Sequence, residues 1–425
     1  MGTSLGVVAD DVTGATDIAA VFRRRGLRCA IRFGPPAPDA VLPECDVAIV
    51  ALKTRTMEPD AAVRESLDAL RWLRARGVVR FYFKYCSTFD STPRGNIGPV
   101  LDAFADELGV AFVPTTPSTP HHGRRQFLGH LFVNGQLLHE SPMRHHPLTP
   151  MLDSSVVRLL QAQTPRVVGL VDYDAVRGGG IAGALAASAA SGVRYAVIDA
   201  VDDDDLRAIG AEVADLTLVA GAAGLATGIA DAVEAGPSAS DVEGPRPGRL
   251  AVLSGSCSRR TLQQLDAVRE AGYRMHQLRP LVQPSVEELV RGALAWADDL
   301  ADGEPAIVFS SVEPDELRRI QDALGVDGAA ELLETATASI ARGLVARGTR
   351  TIVTAGGETA GAVVRALGVS GGTVGAEEAP GVPWIHADAG EGVDLLLKSG
   401  NFGDRELIVR VLARHTGRRM PSRPQ

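Results

Sequence analysis

A short apolar run, a turn carrying Gly or Asp, and a stretch with the 3.6-residue periodicity of an amphipathic helix recur down almost the whole chain. Residues 5–9 read as a first buried strand, and Ile18, Val21 and Phe22 give the next helix its inner face. Asp60 reads as the cap of a helix striped by Val63, Leu67 and Leu70, followed by a strand over 78–84. Ile97, Val100, Leu101 and Phe104 mark a further helix, leading to a strand over 110–114. The alternation resumes with strands over 165–171, 193–200 and 217–221. Strands separated by amphipathic helices build parallel βαβ units, which excludes an all-β or all-α protein.

A chain of 425 residues is too long for one comfortable core. Residues 235–249, AGPSASDVEGPRPGR, carry Pro, Gly and Ser without periodicity, as a domain boundary does. Beyond them, strands over 250–254, 306–310 and 350–354 alternate with long Ala/Leu-rich helices over 287–302 and 329–347. The fold class expected is α/β: two Rossmann-like domains with mainly parallel sheets facing an interdomain cleft. Their bounds are 1–235 and 250–425, with 236–249 as the linker.

Lys and Arg number 43 against 52 Asp and Glu, a net charge of −9, which repels a phosphate backbone and excludes nucleic acid as a partner class. No apolar run reaches the roughly 18–20 residues of a membrane span. The four cysteines, Cys29, Cys45, Cys86 and Cys257, are scattered without zinc spacing. With no signal-peptide-like start, they read as reduced thiols of a cytoplasmic protein. The composition is compatible with a homo-oligomer.

Three stretches of the first half carry chemistry. In VVADDVTGATD, residues 7–17, Asp10 and Asp11 stand where a buried strand ends, and Thr13 and Gly14 open the following helix. Ligands of open α/β sheets collect at the carboxyl ends of strands, so these acids are placed to orient or deprotonate a hydroxyl. The plainer reading has Asp11 and Thr13 capping a helix, which needs one such residue and leaves Asp10 and Asp17 unexplained. FKYCSTFDSTPRGNIGP, residues 83–99, concentrates Lys84, Asp90, Ser91, Thr92 and Arg94 in one loop. Cation, carboxylate and hydroxyls together suit a polyhydroxy carboxylate, although an Asp/Ser/Thr/Pro turn explains part of the composition. LKTRT, residues 52–56, adds Lys53 and Arg55 at a similar strand end.

The second half offers three small-residue loops at strand ends. TIVTAGGETAG, residues 351–361, runs a strand into Gly356 and Gly357 and then a helix at Glu358 and Thr359. Glycines permit close backbone approach, and the N–H groups of a helix start attract phosphate. No GxxxxGK[ST] motif occurs. SGSCSRRT, residues 254–261, places Ser258 to cap a helix or touch a nucleotide, and LLLKSGNFG, residues 395–403, brings Lys398, Gly400 and Gly403. One such loop is ordinary punctuation; three in one domain form a nucleotide cradle.

Six of nine histidines, at 121, 122, 130, 139, 145 and 146, fall within residues 121–151. No HExxH or similar spacing marks a zinc site, so no metal ligand is assigned. The segment reads as a polar insertion over the substrate cleft, with Arg124, His130 or Arg144 reaching an anionic substrate. Asp202 to Asp205 read as a helix-start cap.

Taken together, ADDVTGATD, KYCSTFDSTPRGNIGP, the GHLFV to HPLTPM block, TAGGETAG and KSGNFG resemble the four-carbon acid sugar kinase family, over nearly the whole chain and in order. The wording of residues 84–99 is nearest to its 3-oxo-tetronate branch. The resemblance implies an N-terminal domain for the sugar acid and a C-terminal domain for ATP with Mg²⁺. It puts nucleotide contacts on Ser258, Gly356, Gly357, Glu358, Thr359, Gly400 and Gly403. Substrate contacts fall on Asp10, Asp11, Thr13, Gly14, Arg55, Lys84, Asp90, Ser91 and Thr92, with Asp10 or Asp11 catalytic. Residues 219–224, VAGAAG, depart from a Gly-Gly-Ser turn of relatives. Rival readings are threonate or erythronate as the acceptor, a non-catalytic sensor, and a metal-dependent lyase built on the acidic motif.

Overall fold

The structure, a computed structural model, describes residues 3–146, 149–233, 248–388 and 392–418. The chain divides into two units, Met1–Ser240 and Asp241–Gln425. Most of the expected linker, 236–247, lies outside the described residues.

In the first unit eight parallel strands run in the order β2 (Cys29–Phe33), β3 (Val47–Ala51), β1 (Leu5–Ala9), β4 (Phe81–Lys84), β11 (Leu218–Gly221), β5 (Val113–Thr116), β10 (Tyr195–Ile198) and β9 (Val168–Val171). Among these, β1 and β3 are apolar and buried throughout, as strands covered on both faces must be. From β1 the chain crosses through α1 (Val12–Arg24) to β2 and β3 on one side. After α2 (Pro59–Arg74) it returns to place β4 on the other. The strand order therefore reverses at β1, and the carboxyl ends of β1, β3 and β4 flank a switch point, where such sheets bind ligands. Helix α3 (Ile97–Glu107) lays Phe104 edge-on to Phe83 of β4, ring centres 5.5 Å apart.

Several expected boundaries move for local reasons. Helix α2 is entered by Glu58 and Pro59, with Asp60 in its first turn and not at its cap; proline pre-sets the first helical φ. Its buried face is Ala62, Ser66, Ala69, Leu70 and Leu73, while Val63 and Leu67 are half-buried. The strand expected over 110–114 runs Val113–Thr116, and that over 78–84 shortens to Phe81–Lys84. Downstream, α4 (Val156–Gln161), α5 (Tyr173–Arg177), α6 (Ile181–Ala190), α7 (Asp203–Val213) and α8 (Ala226–Ala230) follow. As expected, Asp202 and Asp205 form a reciprocal capping box on α7.

The histidine-rich insertion contains a small antiparallel sheet, β6 (Arg124–Phe127), β7 (His130–Val133) and β8 (Gln136–Leu137). Its two connections are Leu128-Gly129 and Asn134-Gly135, each pair at positive φ (48°, 71°, 52° and 84°). Two-residue hairpins require that backbone, and Asn-Gly is its strongest sequence signal.

In the second unit five parallel strands run β13 (His276–Gln277), β14 (Ala306–Phe309), β12 (Arg249–Ser254), β15 (Thr349–Ala355) and β18 (Asp394–Lys398). An antiparallel pair, β17 (Val382–Ala387) and β16 (Gly371–Ala379), extends the β18 side. The helices are α9 (Arg259–Glu270), α10 (Val286–Asp298), α11 (Pro314–Leu324), α12 (Val326–Ala346), α13 (Gly357–Ala366) and α14 (Leu407–Thr416). Helix α10 stops short of the expected 302. Here too the order reverses at a central strand, with β13 and β14 on one side of β12 and β15 on the other. Leu250, Val252, Ile307, Val353, Trp384, Leu396 and Leu412 fill the core beneath.

Candidate active site

At the first switch point the backbone itself laces three strand ends together. Asp10 N–H donates to the Lys84 carbonyl at 3.0 Å, and the Asp10 carbonyl accepts from Thr54 N at 2.9 Å and Arg55 N at 3.2 Å. The Arg55 guanidinium then takes Asp10 in a fork, Nε to Oδ2 and Nη2 to Oδ1 both at 3.1 Å, and reaches Asp11 Oδ1 at 2.6 Å. A planar five-donor cation is the group that can bridge two adjacent carboxylates in this way. Asp11 also caps α1, accepting from Gly14 N at 2.7 Å, and takes the Thr13 hydroxyl at 2.7 Å.

These surroundings separate the two acids. Burial pushes the Asp10 carboxyl above its usual range, Arg55 pulls against it, and the charge of Asp11 adds to the rise. Burial also opposes ionisation of Asp11, but Arg55, Lys84, the Thr13 hydroxyl and the Gly14 N–H outweigh it and hold that carboxyl low. Asp11 is thus a fixed anion, and Asp10 is the better proton acceptor. Lys84 is 2% exposed and donates to the Tyr85 carbonyl at 2.9 Å. A Cβ at Gly14 would stand 2.8 Å from the Lys84 ammonium, so glycine is what lets that cation reach the start of α1.

The loop after β4 holds its own shape. Asp90 accepts from the Thr88 hydroxyl at 2.6 Å and the Cys86 thiol at 3.2 Å. Phe89 adopts φ 49°, which its ring offsets by burying itself edge-on to Tyr85 at 5.5 Å. The Gln163 amide donates to Ser91 Oγ at 2.9 Å and to the Thr92 carbonyl at 2.8 Å. Burial pushes the Cys86 thiol up to about 11, and the charges of Arg55 and Asp10 act on it, so this loop abuts the Asp–Arg group. The structure therefore brings Asp10, Asp11, Thr13, Gly14, Arg55 and Lys84 together, with Asp90, Ser91 and Thr92 bonded within the adjoining loop.

Asn96 is a residue the sequence reading passed over. Its amide donates to the carbonyls of Thr54 at 2.7 Å and Met57 at 3.0 Å, fixing the turn that presents Arg55. Its position before α3 reads as a cap, yet its side chain makes no cap bond. Arg124, His130 and Arg144 bond to carbonyls of their own insertion, at His122, Leu128 and His139.

In the second unit the three small-residue loops converge. Gly255 N and Ser256 N both donate to the Ala355 carbonyl at 3.0 Å, and Gly356 N donates to the Lys398 carbonyl at 2.9 Å. The Gly400 carbonyl accepts from Ser258 Oγ at 2.7 Å, Thr261 Oγ1 at 2.9 Å and Lys398 Nζ at 2.9 Å. With three donors on one oxygen, the plane of that peptide is fixed. A Cβ at Gly400 would collide with Ser256 Oγ, and one at Gly255 with Thr359 Oγ1. Gly356 stands at φ 123°, ψ 137°, open to glycine alone, and no side chain caps the helix it precedes. The start of α13, with Gly357 and Glu358 exposed and Thr359 buried, is therefore an open N-terminus suited to phosphate oxygens. Ser258 caps α9 through Thr261 N. Gly403 makes a turn at φ 77° against Leu407.

Replacing Gly356 by Ala is expected to cost about 1–3 kcal/mol of backbone strain. That strain should lower the denaturation midpoint, which a denaturant melt checks; an unchanged midpoint removes the strain argument at Gly356.

Two family models match in succession: a sugar-binding N-terminal domain over residues 5–229 and a nucleotide-binding C-terminal domain over residues 251–408. A 3-oxo-tetronate kinase of Cupriavidus necator is 46% identical over 94% of this chain and 94% of its own. One of Methylobacterium radiotolerans is 44% identical over 97% and 99%. Among solved structures, a Salmonella typhimurium LT2 protein carrying a provisional tRNA synthase description superposes with a TM-score of 0.88 at 37% identity, covering 96% of this chain and 98% of that one. A Haemophilus influenzae protein of the DUF1537 family does so with 0.78 at 40%, covering 97% and 99%.

Proposed function

The chain belongs to the four-carbon acid sugar kinase family, and from that premise we propose that it transfers the γ-phosphoryl group of ATP to the C4 hydroxyl of 3-oxo-tetronate, giving the 4-phosphate. Residues 1–235 bind the acid, 250–425 bind the nucleotide and 236–249 join them. The carrying observation is that each unit gathers its reactive groups at the strand ends of its own switch point, acid and cation in one, glycine and helix N-terminus in the other.

Phosphoryl transfer asks a protein for positioning and charge stabilisation more than for covalent help. Lys84, anchored against Gly14, pairs with the substrate carboxylate. Asp10 takes the hydroxyl proton, and Asp11 with Arg55 holds Asp10 in place. Asp90, Ser91 and Thr92 shape the wall beside them. On the nucleotide side the Gly356-Gly357 turn, Glu358 and Thr359 at the α13 start, and Gly400 approach the polyphosphate, with Ser258 setting the Gly400 peptide. The N–H groups at the start of α13, which no side chain caps, and the close-packed glycine turns around them fit a polyphosphate. Mg²⁺ travelling with the nucleotide supplies charge neutralisation there. Among the described residues no helix is long and apolar enough to cross a membrane, and all four cysteines are free, which supports a cytoplasmic location.

The test is a coupled assay of ADP release over a panel of four-carbon sugar acids. Turnover should be fastest with 3-oxo-tetronate. Preference for threonate or erythronate moves the acceptor within the family, and ADP release with none of them sinks the proposal.

A further inference from the structure

Helix α1 carries a third acid that neither the helix cap nor the Arg55 fork uses. Asp17 lies one turn beyond Gly14, is 7% exposed, and its Oδ1 makes no hydrogen bond. His122 Nε2 stands 3.5 Å from that oxygen. Next to it is His121, the two ring centres 4.2 Å apart. Asp17, His121 and His122 each offer one ligand atom, all within 4.8 Å of one another.

The turn that brings the imidazoles here is built, not incidental. It begins at Pro120 and closes at Gly123, φ 77°, where a Cβ would collide with Asn134 Oδ1. Thr119 N donates to the Arg124 carbonyl at 2.9 Å and Arg124 N to the Thr119 carbonyl at 3.1 Å, clamping its base. Asn134 N, donating to the Gly123 carbonyl at 2.8 Å, ties it to the small sheet.

Apart from the long His122 contact, this buried carboxylate oxygen accepts no hydrogen bond, so a further group should satisfy it. A direct charged hydrogen bond would close to about 2.7–2.9 Å. The observed 3.5 Å is instead near the edge of a tetrahedron, about 3.4 Å for metal–ligand bonds of about 2.1 Å. Two imidazoles with one carboxylate favour a borderline transition metal over Mg²⁺ or Ca²⁺. We infer that Asp17, His121 and His122 form a three-ligand site for a divalent transition-metal ion, Zn²⁺ or Co²⁺, with a coordination position left for solvent or a small chelating ligand. The site does not depend on the kinase reading. It escapes sequence spacing rules because its carboxylate comes from the first helix and its imidazoles from the insertion.

The full chain, stripped with a chelator, is titrated with Co²⁺ by visible absorption and back-titrated with Zn²⁺. One equivalent should bind with a tetrahedral-type band that Zn²⁺ abolishes. Asp17→Asn, His121→Ala and His122→Ala should each weaken binding at least about 100-fold, with circular dichroism checking that each variant folds. Should Asp17→Asn fail to fold, His121→Gln on the exposed member decides. Absence of a saturable signal, or one unchanged in the folded variants, leaves an Asp–His ion pair only and overturns the inference.

Discussion

Replacing Asp10 by Asn is expected to lower kcat about a thousand-fold and to leave the KM for nucleotide within about two-fold. The substitution keeps the shape of the side chain and one oxygen for the Arg55 fork, but removes the lone pair that takes the hydroxyl proton. Because burial raises the Asp10 carboxyl, the wild-type rate should climb with pH as that group ionises, and the variant should lose this limb. Asp11→Asn separates the roles. The Asp11 carboxyl is held low in the folded protein, so its contribution to stability is present above the unfolded carboxylate range and disappears as pH falls through the depressed value. Its variant should therefore show a flattened acid limb of unfolding, while its amide oxygen still accepts from Gly14 N and keeps the cap. Denaturant melts across acid pH and pH–rate profiles check both. An Asp10→Asn enzyme with unchanged kcat removes the proton acceptor from the mechanism.

How much of this was readable beforehand depended on whether a signal was local. Apolar runs such as Leu5–Ala9 and Ala306–Phe309 announced buried strands because residues covered on both faces leave a continuous hydrophobic record. The acids after β1 and the glycines after β15 were legible because strand ends are where open sheets place chemistry. The strands of two to four residues joined at Leu128-Gly129 and Asn134-Gly135 leave no signal, since each is shorter than any periodicity can register. The antiparallel β16–β17 pair lacks a helical crossover to mark it. Partnerships were invisible altogether. Nothing near Asn96 or Gln163 in the sequence says that one amide holds the Arg55 turn and the other braces Ser91, because those choices are made between elements far apart along the chain. The division of labour between Asp10 and Asp11 likewise needed Arg55 and Lys84 in place.

Lys398→Met should raise the KM for nucleotide about a hundred-fold, roughly 2.7 kcal/mol of lost binding, while kcat at saturation changes little. The Lys398 ammonium is fully buried, and its protons go to Thr261 Oγ1 at 3.2 Å, Ser399 O at 2.8 Å and Gly400 O at 2.9 Å. Methionine fills the volume and offers none of these, leaving the Ser399 and Gly400 carbonyls short of a donor inside the cradle. Burial, with the charge of Arg260, pushes this lysine down to about 7. The sign follows from proton counting. Between about pH 7 and the unfolded value near 10.5, the unfolded chain holds the proton more often than the folded one, so wild-type stability gains with rising pH, a slope the methionine variant lacks. Over the same range the neutral amine has only two protons for three acceptors, so wild-type KM for nucleotide should rise. Stability and affinity thus move in opposite directions with pH, which a merely space-filling lysine cannot produce. Parallel trends, or a variant KM within about two-fold of wild type, would detach Lys398 from the positioning of the Gly400 peptide.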